Sequence, residues 1–223
     1  MIPKVIYFIW FGKEKPDYSI NSFNNFKNVN CTYSIEYIYE RDPFNSSNKD
    51  IKICLDLINT KGTFYYKFYN RSFAKKHQFS SNGIFTRLSA CLRFYLLYTY
   101  GGIYLDCDTF PIKPFDEELL NNKGFCCTVE YNGLLYNDIY FMGSCENTNI
   151  FDINNLVYHA PKDQNVEKNI YKLPILKVNE LLNTKRYKQL FDKFIKCELR
   201  YGETLMNNNY YIDHYFKNEW VAK

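Results

Sequence analysis

An α/β fold built on a mainly parallel sheet is what this sequence predicts, and two observations carry that expectation. Short apolar runs rich in β-branched and aromatic residues alternate with longer stretches of helical periodicity. A glycine pair, Gly101 and Gly102, stops the clearest helix, and the apolar run that follows ends in the acids Asp106 and Asp108. Ligands of open α/β sheets sit beyond the carboxyl ends of strands, where these acids stand. The length of 223 residues fits one domain over 1–223. It divides into a core over 1–146 and a helical closing segment over 147–223.

Each element has its own signal. Residues 4–12 (KVIYFIWFG) read as a buried first strand closed by Gly12. Residues 18–28 suggest a short helix, and residues 33–40 (YSIEYIYE) a second strand ended by Arg41-Asp42-Pro43-Phe44. Residues 50–76 look helical, with a break near Gly62. The clearest helix covers 80–102: Phe85, Leu88, Leu92 and Tyr95 share one stripe, and Gly101 stands where a C-terminal stop belongs. Residues 103–108 (IYLDCD) form the next strand, with two more over 125–131 and 138–144. Helices and loops are expected from Asn147 onward, the longest helix over 176–202, and a last strand within 208–216.

Composition excludes several classes. A net charge of +4 is too weak to argue for nucleic acid by itself. Eight cysteines are scattered with no CxxC pair, so they read as reduced, mostly buried thiols of a cytoplasmic protein, with no ligand spacing for structural zinc. No signal peptide is visible, and no run approaches the ~18 apolar residues of a membrane span. The basic stretch 184–196 (TKRYKQLFDKFIK) is a solvated helix face or a surface for an anionic bilayer.

The paired acids ask for a cation. Side chains alternate along a strand, so Tyr104, Asp106 and Asp108 point one way, and Ile103, Leu105 and Cys107 the other. Two carboxylates on one face repel unless a cation joins them. Mg²⁺ and Mn²⁺ accept one or two carboxylates and complete their shell with phosphates and water. The local reading is a metal–phosphate site. "IYLDCDT" also comes close to the DxDxT nucleophile motif of haloacid-dehalogenase-like phosphatases, with Thr109 one position early. That motif normally lies on the first strand, and the later acidic pair it requires is missing.

Three blocks resemble the DXD-motif sugar glycosyltransferase family of bacterial capsule and lipooligosaccharide enzymes. Fungal mannosyltransferases belong with it, and more remotely the large clostridial glucosylating toxins. "IPKVIYFIWFG" resembles the family's opening strand. "RLSACLRFYLLYTYGGIYLDCD" resembles its central block, and "HYFKNEW" (214–220) more weakly its closing one. The resemblance implies a single-domain glycosyltransferase-A (Rossmann-like) fold. It further implies a nucleotide-sugar donor, a UDP-sugar first among them, with Mn²⁺ or Mg²⁺ and retention at the anomeric carbon. The acceptor would be a saccharide or a lipid-linked saccharide, at the inner face of a cell membrane in the latter case. Residues 1–146 would carry the nucleotide sugar and 147–223 the acceptor side.

Carried over by position, Trp10 stacks near the nucleobase with Phe11 beside it, and Arg93 reaches ribose or sugar. Asp106 takes ribose or sugar hydroxyls, and Asp108 binds the metal bridging the diphosphate. Tyr104, which alternates onto the aspartate face, is a wall of the pocket or plain packing. His214, as a further metal ligand, and Trp220 close over the diphosphate. Asn137 and Asp138 fall toward the acceptor side.

Departures matter as well. Ala90 stands where the family has Asp, one helical turn before Arg93. Tyr7 replaces a frequent His. Glu219 replaces Ser and offers a third oxygen ligand. Ala90 leaves open a catalytically weak relative that binds nucleotide sugar without turning it over.

Overall fold

The computed structural model describes residues 1–12, 14–59, 81–121, 123–131, 134–147, 196–200 and 211–214. In chain order the elements are β1 (Val5–Phe11), α1 (Asp17–Val29), β2 (Ser34–Glu40), a 3₁₀ turn (Pro43–Asn45), α2 (Lys49–Asn59) and α3 (Ser81–Thr99). They continue with β3 (Gly102–Leu105), β4 (Thr109–Pro111), α4 (Glu117–Leu120), β5 (Gly124–Tyr131), β6 (Leu134–Ser144), β7 (Lys196–Arg200) and β8 (Ile212–His214).

Six strands form one sheet in the order β2-β1-β3-β6-β5-β7. β1 pairs in parallel with β2 and β3, and β5 in parallel with β7, while β6 is antiparallel to both β3 and β5. Within this sheet β6 alone runs against the rest, so the expected mainly parallel α/β architecture holds. The carboxyl ends of β1, β2 and β3 share one edge. β4 and β8 form a separate antiparallel pair.

The strand β1 is buried on both faces, as a central parallel strand must be. Its side chains divide by alternation. Tyr7, Ile9 and Phe11 join Ile51, Cys54 and Ile58 of α2 and Leu88, Cys91 and Leu92 of α3. Ile6 and Phe8 join Phe26 of α1, Ile103 and Leu105 of β3, and Leu119 and Leu120 of α4. Helices thus cover both faces, and the core has two halves divided by the sheet.

The stripe expected on α3 packs as read, with Leu88 and Leu92 buried and Phe85 and Tyr95 against them. Phe94, Leu96 and Leu97 are buried too, so this helix is enclosed on most of its circumference. Its stop is tight. Gly101 has φ +66°, and a side chain there would come 2.8 Å from the Ser144 carbonyl. Gly102 has φ +107°, and a side chain would come 2.9 Å from the Val5 carbonyl oxygen and 2.9 Å from Tyr7 Cε2. Only glycine takes both conformations without strain.

The sequence reading needs correction in places. Residues 196–200, assigned above to the long helix, form β7. Apolar Cys197 and Leu199 alternate there with Lys196, Glu198 and Arg200, the period of a strand. β6 begins at Leu134, so Asn137 and Asp138 lie inside it, paired with Thr128 and Cys127. The strand expected to run to Asp108 ends at Leu105. The helix expected over 50–76 is seen as α2, and residues 60–80 and 176–195 lie outside the described part. Cys54, Cys91 and Cys107 are buried free thiols, Cys145 is half-buried and Cys31 exposed. Among the described residues no helix is long and apolar enough to cross a membrane.

Candidate functional site

At the carboxyl end of β3 the backbone leaves the sheet in a tight turn. The Asp106 carbonyl accepts the Thr109 amide at 3.2 Å and the Thr109 hydroxyl at 2.7 Å. These bonds end the strand at Leu105 and put Asp106, Cys107 and Asp108 on the turn itself. The Asp106 amide donates to the Tyr140 carbonyl of β6 at 2.8 Å, fixing the start of the turn. Asp106 and Asp108 are both half-exposed, and Cys107 between them is buried. The alternation expected from a strand therefore survives into the turn.

Asp106 sits in a specific cradle. The Arg93 guanidinium approaches its Oδ1 at 3.3 Å, and the Tyr104 hydroxyl donates to the same oxygen at 2.6 Å. Arg93 lies over the Tyr104 ring, its Cζ 4.3 Å from the ring centroid. The Arg93 side chain is 10% exposed and that of Asp106 31%. A buried guanidinium that stacks and pairs at once has lost most of its rotamer freedom already. Asp106 is thereby oriented, with an open side toward solvent. Tyr104, read above as a pocket wall, is only 2% exposed and acts from beneath Asp106.

Further side chains fix the turn from the α1 side, and the sequence reading missed them. Ser19 and Ser22 are fully buried on α1. Ser22 donates to the Thr109 carbonyl, and Ser19 shares a hydrogen bond with the Tyr37 hydroxyl. The Cys107 thiol donates to the Ile9 carbonyl of β1 at 3.3 Å. Buried serines one turn apart on an otherwise amphipathic helix were the available signal, since a buried hydroxyl needs a partner.

Trp10 and Phe11 separate. Trp10 is half-buried on the α1 side, its indole N–H donating to the Glu14 carbonyl at 2.9 Å, with Tyr18 edge-on at 6.4 Å. Phe11 is buried on the α3 side against Phe85, with ring centroids 6.5 Å apart. Beside Trp10, Lys15 rests over the rings of Tyr37 and Tyr39, at 4.3 Å and 4.6 Å. His214 pairs through its backbone with Thr109, next to Asp108. Glu219 and Trp220 lie outside the described residues. Ala90 is buried on α3.

The donor set suits a hard divalent cation. Two carboxylates stand on one turn, one of them committed to Arg93 and Tyr104, the other, Asp108, half-exposed. Among the described residues no group of three or more acidic, His or Cys side chains forms an all-protein cage. Mg²⁺ and Mn²⁺ need none, because one or two carboxylates with substrate phosphates complete their shell.

Burial sets the protonation of this region. It pushes the Tyr104 hydroxyl well above its ordinary value, Arg93 opposing and Asp106 adding to it. Burial likewise pushes the Cys107 thiol up to about 12 and the Tyr33 hydroxyl up to about 12, and raises Tyr7 and Tyr37. Tyr104 and Cys107 therefore remain donors throughout the neutral range. Each of these groups holds its proton more tightly folded than unfolded. Their stabilisation is complete below the ordinary thiol and phenol values and is lost as pH rises past them. The urea midpoint is accordingly expected to fall progressively above about pH 9. An unchanged midpoint between pH 8 and pH 11 would contradict these buried assignments.

The model of the glycosyltransferase sugar-binding region containing DXD motif matches residues 7–125, more than half of the chain. The match includes most of β1 and all of α3, β3 and the turn. No curated protein matches the chain. Among solved structures, the PaToxG glycosyltransferase is similar at 21% identity, over 86% of this chain and 73% of that one, with a TM-score of 0.53. The catalytic domain of alpha-toxin from Clostridium novyi aligns at 14% identity over 85% of this chain and 67% of its own, with a TM-score of 0.41. A glycosyltransferase involved in glycosylation of the major capsid of PBCV-1 aligns at 11% identity over 97% and 95%, with a TM-score of 0.40. The first of these supports the shared fold. The family match decides between the phosphatase and transferase readings of the paired acids, and the chain belongs to the DXD-motif glycosyltransferase family.

Proposed function

We propose that this glycosyltransferase is metal-dependent and retaining, and that it moves a sugar from a nucleotide-sugar donor to a saccharide or lipid-linked saccharide. A UDP-sugar is the first donor to consider, and synthesis of surface polysaccharide or lipooligosaccharide the setting. The observation that carries this reading is the Arg93–Asp106–Tyr104 cradle beside Asp108 on one turn at the carboxyl edge of the sheet. In this reading residues 1–146 hold the donor and 147–223 serve the acceptor side. The protein works on the cytoplasmic side, against the membrane when the acceptor is lipid-linked.

The roles follow from chemistry. Asp108 supplies the carboxylate for Mn²⁺ or Mg²⁺, with His214 and Glu219 the further candidates. The cation, when bound, offsets negative charge on the nucleoside diphosphate leaving group. Asp106, oriented by Arg93 and Tyr104, accepts hydrogen bonds from ribose or sugar hydroxyls. Arg93 adds positive charge on the same side. Trp10, with Trp220 from the closing segment, serves the nucleotide, while Phe11, buried on the other side of the sheet, packs the core instead.

The test is hydrolysis of a panel of nucleotide sugars, with Mn²⁺ and with EDTA. Turnover of at least one donor that requires the metal supports the reading. Equal turnover in EDTA overturns the metal dependence. Binding without turnover of any donor selects the catalytically weak alternative that Ala90 suggests.

A further inference from the structure

The turn carrying the two acids continues into β4, and β4 has one strand partner among the described residues, the distant β8. Three residues face three: Thr109, Phe110 and Pro111 against His214, Asp213 and Ile212. A two-stranded ribbon this short is marginal without other contacts. Side chains supply them around Tyr211. Its hydroxyl lies 2.8 Å from both carboxylate oxygens of Asp116, and that carboxylate also caps α4 through the Leu119 amide at 3.0 Å. Lys113 lies over the Tyr211 ring at 4.3 Å, and Phe115 packs against the ring at 5.9 Å. The Tyr211 carbonyl accepts the Ile112 amide at 2.9 Å, and the next residue, Ile212, is buried in the core.

We infer that the Tyr211–Asp116 contact is a clasp that positions the acid-bearing turn for nucleotide and metal, with Tyr211 a positioning residue. The path is short. Tyr211 docks β8 onto β4, and Thr109 of β4 closes the turn by two bonds to the Asp106 carbonyl. β8 also brings the backbone of His214 beside Thr109. Loosening the clasp loosens the ribbon and with it the relative placement of Asp106 and Asp108. Neither Tyr211 nor Asp116 needs to touch the donor.

This inference rests on the metal–nucleotide reading above, and the experiment separates the two. Binding of UDP and of GDP with saturating Mn²⁺ is measured by calorimetry for wild type, Tyr211→Phe, Asp116→Asn and Asp108→Asn. Tyr211→Phe keeps the ring on Phe115 and Lys113 and removes only the hydroxyl. Its dissociation constant is expected to rise about fivefold, the scale of one solvent-exposed hydrogen bond. The melting temperature should stay within about 2 °C, since the contact is solvent-exposed. Asp116→Asn keeps acceptor oxygen and should give a smaller rise. Backbone hydrogen exchange over 109–112 should quicken in Tyr211→Phe. An unchanged dissociation constant in Tyr211→Phe, with or without a fall in melting temperature, overturns the clasp. Unchanged binding in Asp108→Asn, or no binding of either nucleotide by wild type, overturns the metal–nucleotide reading. Exchange over 109–112 then decides the clasp alone, and unaltered exchange sinks it.

Discussion

Replacing Asp108 with Asn is expected to abolish metal-dependent binding of a nucleoside diphosphate while leaving the fold intact. The substitution exchanges an anionic oxygen ligand for a neutral amide of nearly the same shape, and hard divalent cations select for charge. Asp108 is half-exposed on a turn held by backbone bonds and by Thr109, Ser22 and Cys107, so the turn does not rest on the Asp108 carboxylate alone. Donor hydrolysis should fall on the order of 10²-fold or more, about 3 kcal/mol of transition-state stabilisation. Raising Mn²⁺ should restore part of it if affinity alone is reduced. Wild-type activity in Asp108→Asn, at limiting Mn²⁺, would exclude Asp108 from the metal site.

Arg93→Ala should lower both activity and stability, and the combination distinguishes it from Asp108→Asn. The guanidinium fills space over Tyr104 and neutralises Asp106. Its removal leaves a cavity and an anion without that cation. Breaking a buried pair costs about 3–5 kcal/mol. Because the Asp106 side chain is 31% exposed and water can reach it, a loss of about 1–3 kcal/mol is the better expectation here. Activity should fall on the order of 10²-fold, since Asp106 loses its orientation and the site a positive charge. Arg93→Lys keeps the charge without the planar stack and should recover stability more than activity. Thermal melts and donor hydrolysis on the three proteins, with Asp106→Asn completing a double-mutant cycle, measure both effects. Additive single-mutant losses would mean that Arg93 and Asp106 do not act as a unit.

The sequence made the centre of the fold legible because its signals there are short-range. β1 and β2 declare themselves by β-branched and aromatic runs, α3 by its stripe, and the corner by two glycines that no other residue could replace. The meeting of Arg93 and Asp106 followed from helix register and that corner. The remaining contacts are set by the tertiary pairing. Tyr104 reads as an alternating aromatic, and nothing local says that its hydroxyl ends on Asp106. Ser19 and Ser22 meet the turn only because α1 packs against it, and the Cys107 thiol reaches the Ile9 carbonyl only because β1 lies beside β3. β7 was absorbed into a helix because five alternating residues beside a basic, helix-favouring stretch carry too little period of their own. Trp10 and Phe11 are neighbours in sequence and divided by the sheet, which alternation along β1 does predict once both faces are known to be covered.

The glycine corner has a consequence for how the chemistry is inherited. Arg93, Tyr104 and Asp106 lie within residues 93–106, on one helix, one corner and one short strand. Bringing the cation to the anion closes a loop little more than a dozen residues long, so little chain entropy opposes it. Its geometry is fixed mainly by two φ angles that only glycine adopts freely. This stretch can therefore keep its form while strands and loops elsewhere drift, lengthen or change partners. One extra residue between Thr99 and Gly102 would rotate the strand and turn Asp106 away from Arg93.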